Sequence, residues 1–289
     1  MTDESFSARV TEWYDANARD LPWREPDVSP WGVLVSEVML AQTPVARVIA
    51  SWQAWMQRWP DPAALAAEPA GEAVRMWGRL GYPRRALRLH ESASVIVAQH
   101  GGAVPCDYDD LLALPGVGGY TAAAVAAFAF GAPTAVLDTN VRRVHARYLR
   151  GVADAQGSSP TRAEYDEAIA QLPKVTPARH SVAVMELGAI VCTARNPRCE
   201  ACPVRGSCAW EHAGRPPGPP SRRTQTYVGT DRHVRGLLLA LVRDADAAID
   251  PQVLDTAWDD DVQRDRALTT LVADGLVQVL ADGRYRLPA

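Results

Sequence analysis

Four cysteines crowd one short stretch of the chain: Cys192, Cys199, Cys202 and Cys208, in the spacing C-x6-C-x2-C-x5-C. Cys106 is the only other cysteine among the 289 residues. Thiolates this close together hold something, and three chemistries compete. Disulfides suit secreted chains; no signal peptide is visible after Met1, so the chain is expected to be cytosolic. Zinc modules usually present two short Cys-x2-Cys knuckles, and only Cys199 and Cys202 form one. A cubane [4Fe–4S] cluster tolerates uneven spacing and takes one thiolate per iron. The spacing favours the cluster and leaves zinc as the alternative.

A second constellation is Leu114-Pro-Gly-Val-Gly-Gly-Tyr-Thr121. Glycines such as Gly116 and Gly118 let backbone amides turn outward, and the next helix opens with its positive end exposed. Such a turn binds a phosphate without reading sequence. Alone it could equally be a plain corner between two helices.

These groups need a scaffold, and the composition allows one. The chain is 47% hydrophobic, ordinary for a folded protein, and no run of apolar residues is long enough to span a membrane. Its net charge of −4 does not advertise a nucleic-acid binder. The charge is uneven, however. Residues 75–150 carry nine arginines against five acidic residues, whereas the last sixty residues carry eleven aspartates against seven arginines. Local charge governs phosphate binding, so the basic middle matters more than the total. Lysine is nearly absent: Lys174 stands against 29 arginines.

Most of the first 210 residues read as helices. Val33, Leu34, Val38 and Leu40–Val48 form an apolar face at helical spacing. Thr121–Phe130 is apolar all round and predicts a buried helix. Residues 160–191 give two more helices, broken around Pro173 and Pro177. Residues 213–226 are a Pro/Gly-rich linker. Beyond it, residues 227–289 predict two helices, 232–242 and 261–273. A hairpin turning at Asp282-Gly283 follows, which suggests a small winged-helix-like α+β module.

The stretch LPGVGGYTA together with the cysteine spacing resembles the helix-hairpin-helix DNA glycosylases of the endonuclease III superfamily. SEVMLAQTPV (36–45), WGRLGYPRRALRLH (77–90), VLDTNVRRV (136–144) and MELGAIVCTARNPRCEACPVRGSC (185–208) narrow the resemblance to the adenine DNA glycosylase family. The match runs from about residue 8 to 212. It implies a mainly α core over residues 1–212, built as two helical lobes with a [4Fe–4S] loop at 192–208. The implied substrate is double-stranded DNA carrying adenine opposite 8-oxoguanine or guanine, bound by a monomer.

The resemblance also assigns roles. Releasing a purine requires the base to leave the duplex, a general acid to protonate it, and a carboxylate beside the oxocarbenium-like sugar, the two-carboxylate logic of glycoside hydrolysis. Glu37 is the implied acid, acting on adenine N7. It lies among Val33, Leu34, Val35, Val38, Met39 and Leu40, and an apolar setting favours a carboxyl that keeps its proton. Asp138 is the implied second carboxylate, and Asp138-Thr-Asn would also suit a helix N-cap. Asn140 would position Asp138 and the water. Tyr120 stands where endonuclease III-like enzymes carry a lysine. A phenol cannot form an imine, and Arg142 cannot either, so the enzyme is expected to leave an abasic site.

Trp23, Arg24 and Glu186 match the adenine pocket. Gln42 and Tyr82 match residues that fill the gap left by the flipped base, and Thr43 and Leu80 match contacts to the opposite base. Ala41 departs from the family, which often has glutamine there. Arg84, Arg85 and Arg88 share one helix face, as do Arg142, Arg143 and Arg147, and both faces are expected to meet DNA phosphates. Cys106 reads as a buried or inert thiol, and His145 and His180 as structural. The C-terminal module, about four units negative by residue count, reads as separable: truncation after residue 222 is expected to leave a folded glycosylase. The competing functions are a glycosylase/lyase for oxidised pyrimidines and a non-catalytic iron–sulfur DNA-binding regulator.

Overall fold

The computed structural model of the chain describes residues 4–218 and 226–289. Residues 219–225, half of the linker, lie outside the described residues, as do residues 1–3. The chain is mainly helical: α1 (Glu4–Asn17), α2 (Pro30–Leu40), α3 (Val45–Arg58), α4 (Pro62–Ala66), α5 (Ala70–Trp77), α6 (Arg84–His100), α7 (Tyr108–Ala113), α8 (Gly119–Phe130), α9 (Thr139–Tyr148), α10 (Arg162–Gln171), α11 (Pro177–Ile190) and α12 (Ala209–His212). The C-terminal segment adds α13 (Asp231–Asp244), α14 (Pro251–Asp255), α15 (Asp261–Ala273) and the antiparallel pair β1 (Gln278–Val279) and β2 (Tyr285–Arg286). No helix among the described residues is long and apolar enough to cross a membrane.

These elements form two compact units. The first gathers the chain up to Val33, Cys106–Ala113 and Val117 to the linker. Its core brings Phe6 and Val10 of α1 against α9 and α11; the Phe6 ring lies 4.3 Å from Tyr148 and 5.8 Å from His180. The alanines of α8 are buried almost throughout, which lets neighbouring helices approach its backbone closely. Local chemistry sets the helix starts. Asp138 caps α9, and Thr161 with Glu164 forms a reciprocal capping box on α10. His145 and His180 are buried; burial lowers their pKa values to about 3 and about 4 and keeps both neutral. Cys106, expected to be buried or inert, is exposed.

The second unit holds Leu34–Pro105, Leu114–Gly116 and the C-terminal segment. Its centre is a tryptophan cluster, with Trp55 edge-on to Trp59 at 4.6 Å and to Trp77 at 5.9 Å. The apolar face expected to run on from Val33 to Val48 is in fact two helices. The chain breaks because Gln42 takes a left-handed conformation (φ 59°) and Pro44, which has no N–H, precedes α3.

The C-terminal segment runs helix, strand, helix, helix, hairpin, since Ile249 bridges Tyr285 before α14, the order of a winged helix. It packs against the rest of the second unit. Gly71 N–H of α5 donates to Pro288 O at 2.8 Å. Arg243 donates to Gly78 O at 2.9 Å, and Arg75 donates to the carbonyls of Arg243 and Ala245. Arg84 pairs with Asp274 at 3.3 Å. Bonds between residues so distant in sequence leave no local pattern.

Candidate active site and metal centre

The four clustered cysteines are all free thiols, which removes the disulfide reading. Cys192 leaves α11 with its N–H bonded to Leu187 O at 2.7 Å. Two short turns, Cys199–Ala201 and Arg205–Ser207, bring round the other three. All four thiols line one cavity with Arg147, Val191, Arg205, Trp210 and Glu211. Among the described residues, no group of three or more His, Cys, Asp or Glu side chains is arranged to hold a single metal ion. A cavity lined by four thiols suits a cluster that takes one thiolate per iron. Burial pushes Cys192 and Cys199 up and Cys202 to about 11. As thiolates they need a strong positive partner, and iron supplies it. Arg147 assists: its Nη1 lies 3.4 Å from Cys192 Sγ, and its guanidinium stacks over Trp210 at 4.5 Å. The residues present therefore fit a [4Fe–4S] cluster held by Cys192, Cys199, Cys202 and Cys208.

The glycine-rich turn joins α7 to α8. Gly116 has φ 79°, and a Cβ there would lie 2.5 Å from Arg88 Cβ, so only glycine lets the turn sit on α6. Gly118 caps α8 without a side-chain bond, and nothing lies within 4 Å of the place its Cβ would take. The first N–H groups of α8 thus receive no side-chain cap from this turn, and uncapped helix-start amides are the kind that receive a phosphate.

At the start of α9 a polar chain runs from a carboxylate to a cysteine backbone. Asp138 Oδ1 accepts from Val141 N–H at 2.7 Å and Oδ2 from Asn140 Nδ2 at 2.6 Å. Asn140 Oδ1 accepts from Arg143 Nη2 at 2.7 Å. Arg143 also donates to Gly188 O and Cys192 O, each at 2.7 Å. Burial pushes the Asp138 carboxyl up, while its bonds to Val141 and Asn140 and the Arg143 charge pull it back only in part. Gly188 permits this closeness, since a Cβ there would lie 2.7 Å from Asn140 Cβ and O. Tyr120, in the first turn of α8, packs against the buried cluster of Ala123, Ala124, Ala127 and Val136.

The residues matched to the adenine pocket gather around Glu186, which is 0% exposed. Its Oε1 accepts from Arg19 N–H at 3.1 Å and Nε at 2.6 Å, and its Oε2 from Arg19 Nη2 at 2.7 Å and Arg24 Nη2 at 2.9 Å. Burial pushes this carboxyl up, but the Arg19 and Arg24 bonds outweigh it and bring it to about 2. Glu186 is therefore a fixed anion. Trp23 is buried at the short turn Pro22–Arg24. Arg19 was missed by sequence reading; an arginine shortly after a helix carries no signal of its partner.

Glu37 lies on α2 and is buried, at 6% exposure. Beyond the end of α2, Gln42 (φ 59°) and Tyr82 (φ 50°) both hold left-handed conformations that cost a non-glycine residue energy. Arg85 underwrites them. It donates to the carbonyls of Val38 (2.7 Å), Met39 (3.1 Å), Ala41 (2.5 Å) and Gly81 (3.0 Å) and to Thr43 Oγ1 (3.0 Å). Its guanidinium also faces the rings of Trp77 and Tyr82. The Val38, Met39 and Ala41 carbonyls are the unsatisfied end of the helix that carries Glu37. Tyr82 is 43% exposed and Gln42 is exposed. Thr43 and Leu80 are buried and bonded to each other, Thr43 Oγ1 to Leu80 O at 3.4 Å. They shape the loop and do not project from it, contrary to the opposite-base role expected of them.

The basic faces also need correction. Arg142 and Arg143 are 5% and 6% exposed and do not present a face to phosphate. Arg142 forms an ion pair with Glu164 at 3.0 Å and donates to Gln156 O and Gly157 O; Arg143 is spent on carbonyls and Asn140. Arg147 is buried beside Cys192, and Arg85 is turned inward. Arg84 and Arg88 remain exposed, although each meets a carboxylate, Asp274 and Glu91. Helical spacing cannot distinguish an arginine facing water from one satisfying buried carbonyls, because both recur with the same period.

The chain is similar to known proteins. The model of the HhH-GPD superfamily base excision DNA repair protein matches residues 35–171, and that of the iron-sulfur binding domain of endonuclease III matches residues 192–208. An adenine DNA glycosylase of Mycobacterium tuberculosis is 55% identical over 280 residues, covering 96% of this chain and 91% of its own. Its counterpart in Mycolicibacterium smegmatis is 54% identical, covering 96% and 94%. The human adenine DNA glycosylase is 41% identical over 212 residues, covering 71% of this chain and 39% of its own. A 96% share must include most of the C-terminal segment, so the resemblance reaches well past residue 212. Among solved structures, a thermostable thymine-DNA glycosylase matches with a TM-score of 0.67 at 28% identity, over 73% of this chain and 96% of that one. Endonuclease III in a non-covalent DNA complex matches in fold, with a TM-score of 0.61 at 23% identity over 74% and 98%.

Proposed function

The chain belongs to the adenine DNA glycosylase family, and from that premise we propose that it is a monofunctional base excision repair enzyme acting on adenine paired with 8-oxoguanine or guanine. It binds the duplex as a monomer, in the cytoplasm at the nucleoid. The bond broken joins C1′ of deoxyribose to N9 of adenine. Glu37 gives its proton to adenine N7 as that bond lengthens, so the base leaves neutral. The sugar becomes oxocarbenium-like, and the Asp138 carboxylate stabilises it or adds to it. Water then adds at C1′, leaving an abasic site. Trp23 and Arg24 line the base pocket with Glu186, and Gln42 and Tyr82 enter the stack behind the flipped base. The N-terminal amides of α8, with Gly116 and Gly118 in the turn before it, hold a phosphate, aided by Arg84. A [4Fe–4S] cluster, when bound, anchors the loop whose Cys192 carbonyl receives Arg143.

One observation supports this reading above the rest: both Asp138 oxygens are fixed, one by Val141 N–H and one by Asn140. A cap alone needs only the first. The second aims the free electron density, which a cation-stabilising carboxylate requires. Lyase chemistry is disfavoured because Tyr120 cannot form an imine and Arg142 is locked to Glu164.

The test uses Glu37→Gln and Asp138→Asn. Asparagine still caps α9, so Asp138→Asn removes the charge, and the acceptor for Asn140, while keeping the helix start. Each variant should bind an A:8-oxoguanine duplex normally and release adenine ~10²–10⁴-fold more slowly in a single turnover. Near-normal turnover would remove that residue from the mechanism.

A further inference from the structure

We propose that the C-terminal segment completes the DNA-entering wedge of the second unit, with Arg232 of α13 as a positioning residue that holds Tyr82 and takes a phosphate of the strand facing the expelled adenine. This rests on Tyr82 as a wedge residue. The Arg232 guanidinium lies over the Tyr82 ring, 4.7 Å from its centroid, and 5.8 Å from that of Tyr227. Tyr227 in turn lies 5.2 Å from His233, which meets Trp258 at 5.5 Å. A string of aromatic and cationic groups thus runs from the wedge into the segment.

Charge accounting singles out Arg232. Of the segment's other described arginines, Arg235, Arg243, Arg264, Arg266 and Arg284 are each paired with an aspartate, and Arg286 donates to Gln278. Arg232 is exposed and forms no ion pair among the described residues. An acidic segment that neutralises its arginines nearly throughout leaves this charge unspent, and places it on the one exposed aromatic of the strained loop. Tyr82 is flanked by two guanidinia of different kinds. Arg85 is committed to carbonyls and fixes the loop from within; Arg232 is free to follow the ring. When Tyr82 enters the stack, a cation on its ring is carried to the backbone beside it. A guanidinium released from an exposed ring to a phosphate exchanges a weak contact for a charge-assisted bond. The docking through Gly71, Gly78, Arg75 and Asp274 keeps α13 in place for this.

The experiment measures affinity of the full-length, iron-loaded protein for a duplex with 2′-fluoro-2′-deoxyadenosine, which resists cleavage, opposite 8-oxoguanine. Arg232→Ala and Arg232→Lys are compared with wild type at 50 and 200 mM salt. One lost phosphate contact lowers the salt slope by about 0.9, so the Arg232→Ala weakening should be about 3.5-fold larger at the lower salt. Arg232→Lys keeps the charge and should restore the slope. A purely structural role would weaken binding equally at both salts, and that result overturns the proposal. So does an unchanged affinity. Failure of the wild type to bind would instead refute the function on which the proposal rests.

Discussion

Replacing Gly71 by alanine tests how the C-terminal segment is held, because two physical effects predict opposite signs. Gly71 lies in the first turn of α5. Helix propensity alone favours alanine by up to ~1 kcal/mol. Packing opposes it: the new Cβ would fall 2.5 Å from Pro288 O and 2.7 Å from Leu287 Cβ. Neither atom is the far end of a flexible side chain, so the chain terminus itself must move. Overpacking of this kind costs about 1–3 kcal/mol, and moving Pro288 also loses the bond from Gly71 N–H, worth ~1 kcal/mol. The balance is about 2 kcal/mol against docking of the terminus. Tyr285 N–H donates to Ile249 O at 2.9 Å and reports local opening. Its amide should exchange about 30-fold faster in Gly71→Ala than in wild type. Unchanged or slower exchange would show that propensity wins and that the close contact at Gly71 does not hold the segment.

Glu186→Gln leaves Arg19 and Arg24 without their buried anion. The lowering of that carboxyl from 4.5 to about 2 corresponds to about 3 kcal/mol, or a melting temperature lower by roughly 6–12 °C. A depressed carboxylate stabilises above its unfolded pKa and loses that contribution as pH falls toward the folded value. The difference should therefore be flat from pH 8 to 5, and a difference that changes within that range would refute the assignment. Tyr120→Lys places an amine where the phenol stands and should yield a borohydride-trapped DNA adduct that wild type lacks; strong trapping by wild type would contradict monofunctional chemistry. Purified protein should carry about four irons per chain and absorb broadly near ~400 nm, whereas a colourless protein with one zinc would refute the cluster.

The cysteine loop and the glycine-rich turn were legible because their chemistry depends on local spacing, and the sequence carries spacing directly. The Asp138 cap was legible for the same reason. Arg142, Arg143 and Arg147 were misread because an amphipathic pattern of arginines does not reveal whether the facing layer is water or backbone carbonyl. The break between α2 and α3 was blurred by apolar residues continuing through it; Pro44 was the available signal. Arg19 with Glu186, Arg243 with Gly78 and Gly71 with Pro288 join residues far apart in the chain. Tertiary packing alone creates such pairs, and a single sequence does not encode them in any local pattern.

Adenine release without strand cleavage is the reaction expected of this enzyme, and one measurement addresses it directly. A labelled duplex containing a single A:8-oxoguanine pair is incubated with the iron-loaded protein under single-turnover conditions, and half of each sample is then treated with hot alkali. Scission at the adenine should appear only in the alkali-treated half, and a matched A:T duplex should stay intact. Scission without alkali would show a lyase, and no scission in either half would contradict adenine glycosylase activity.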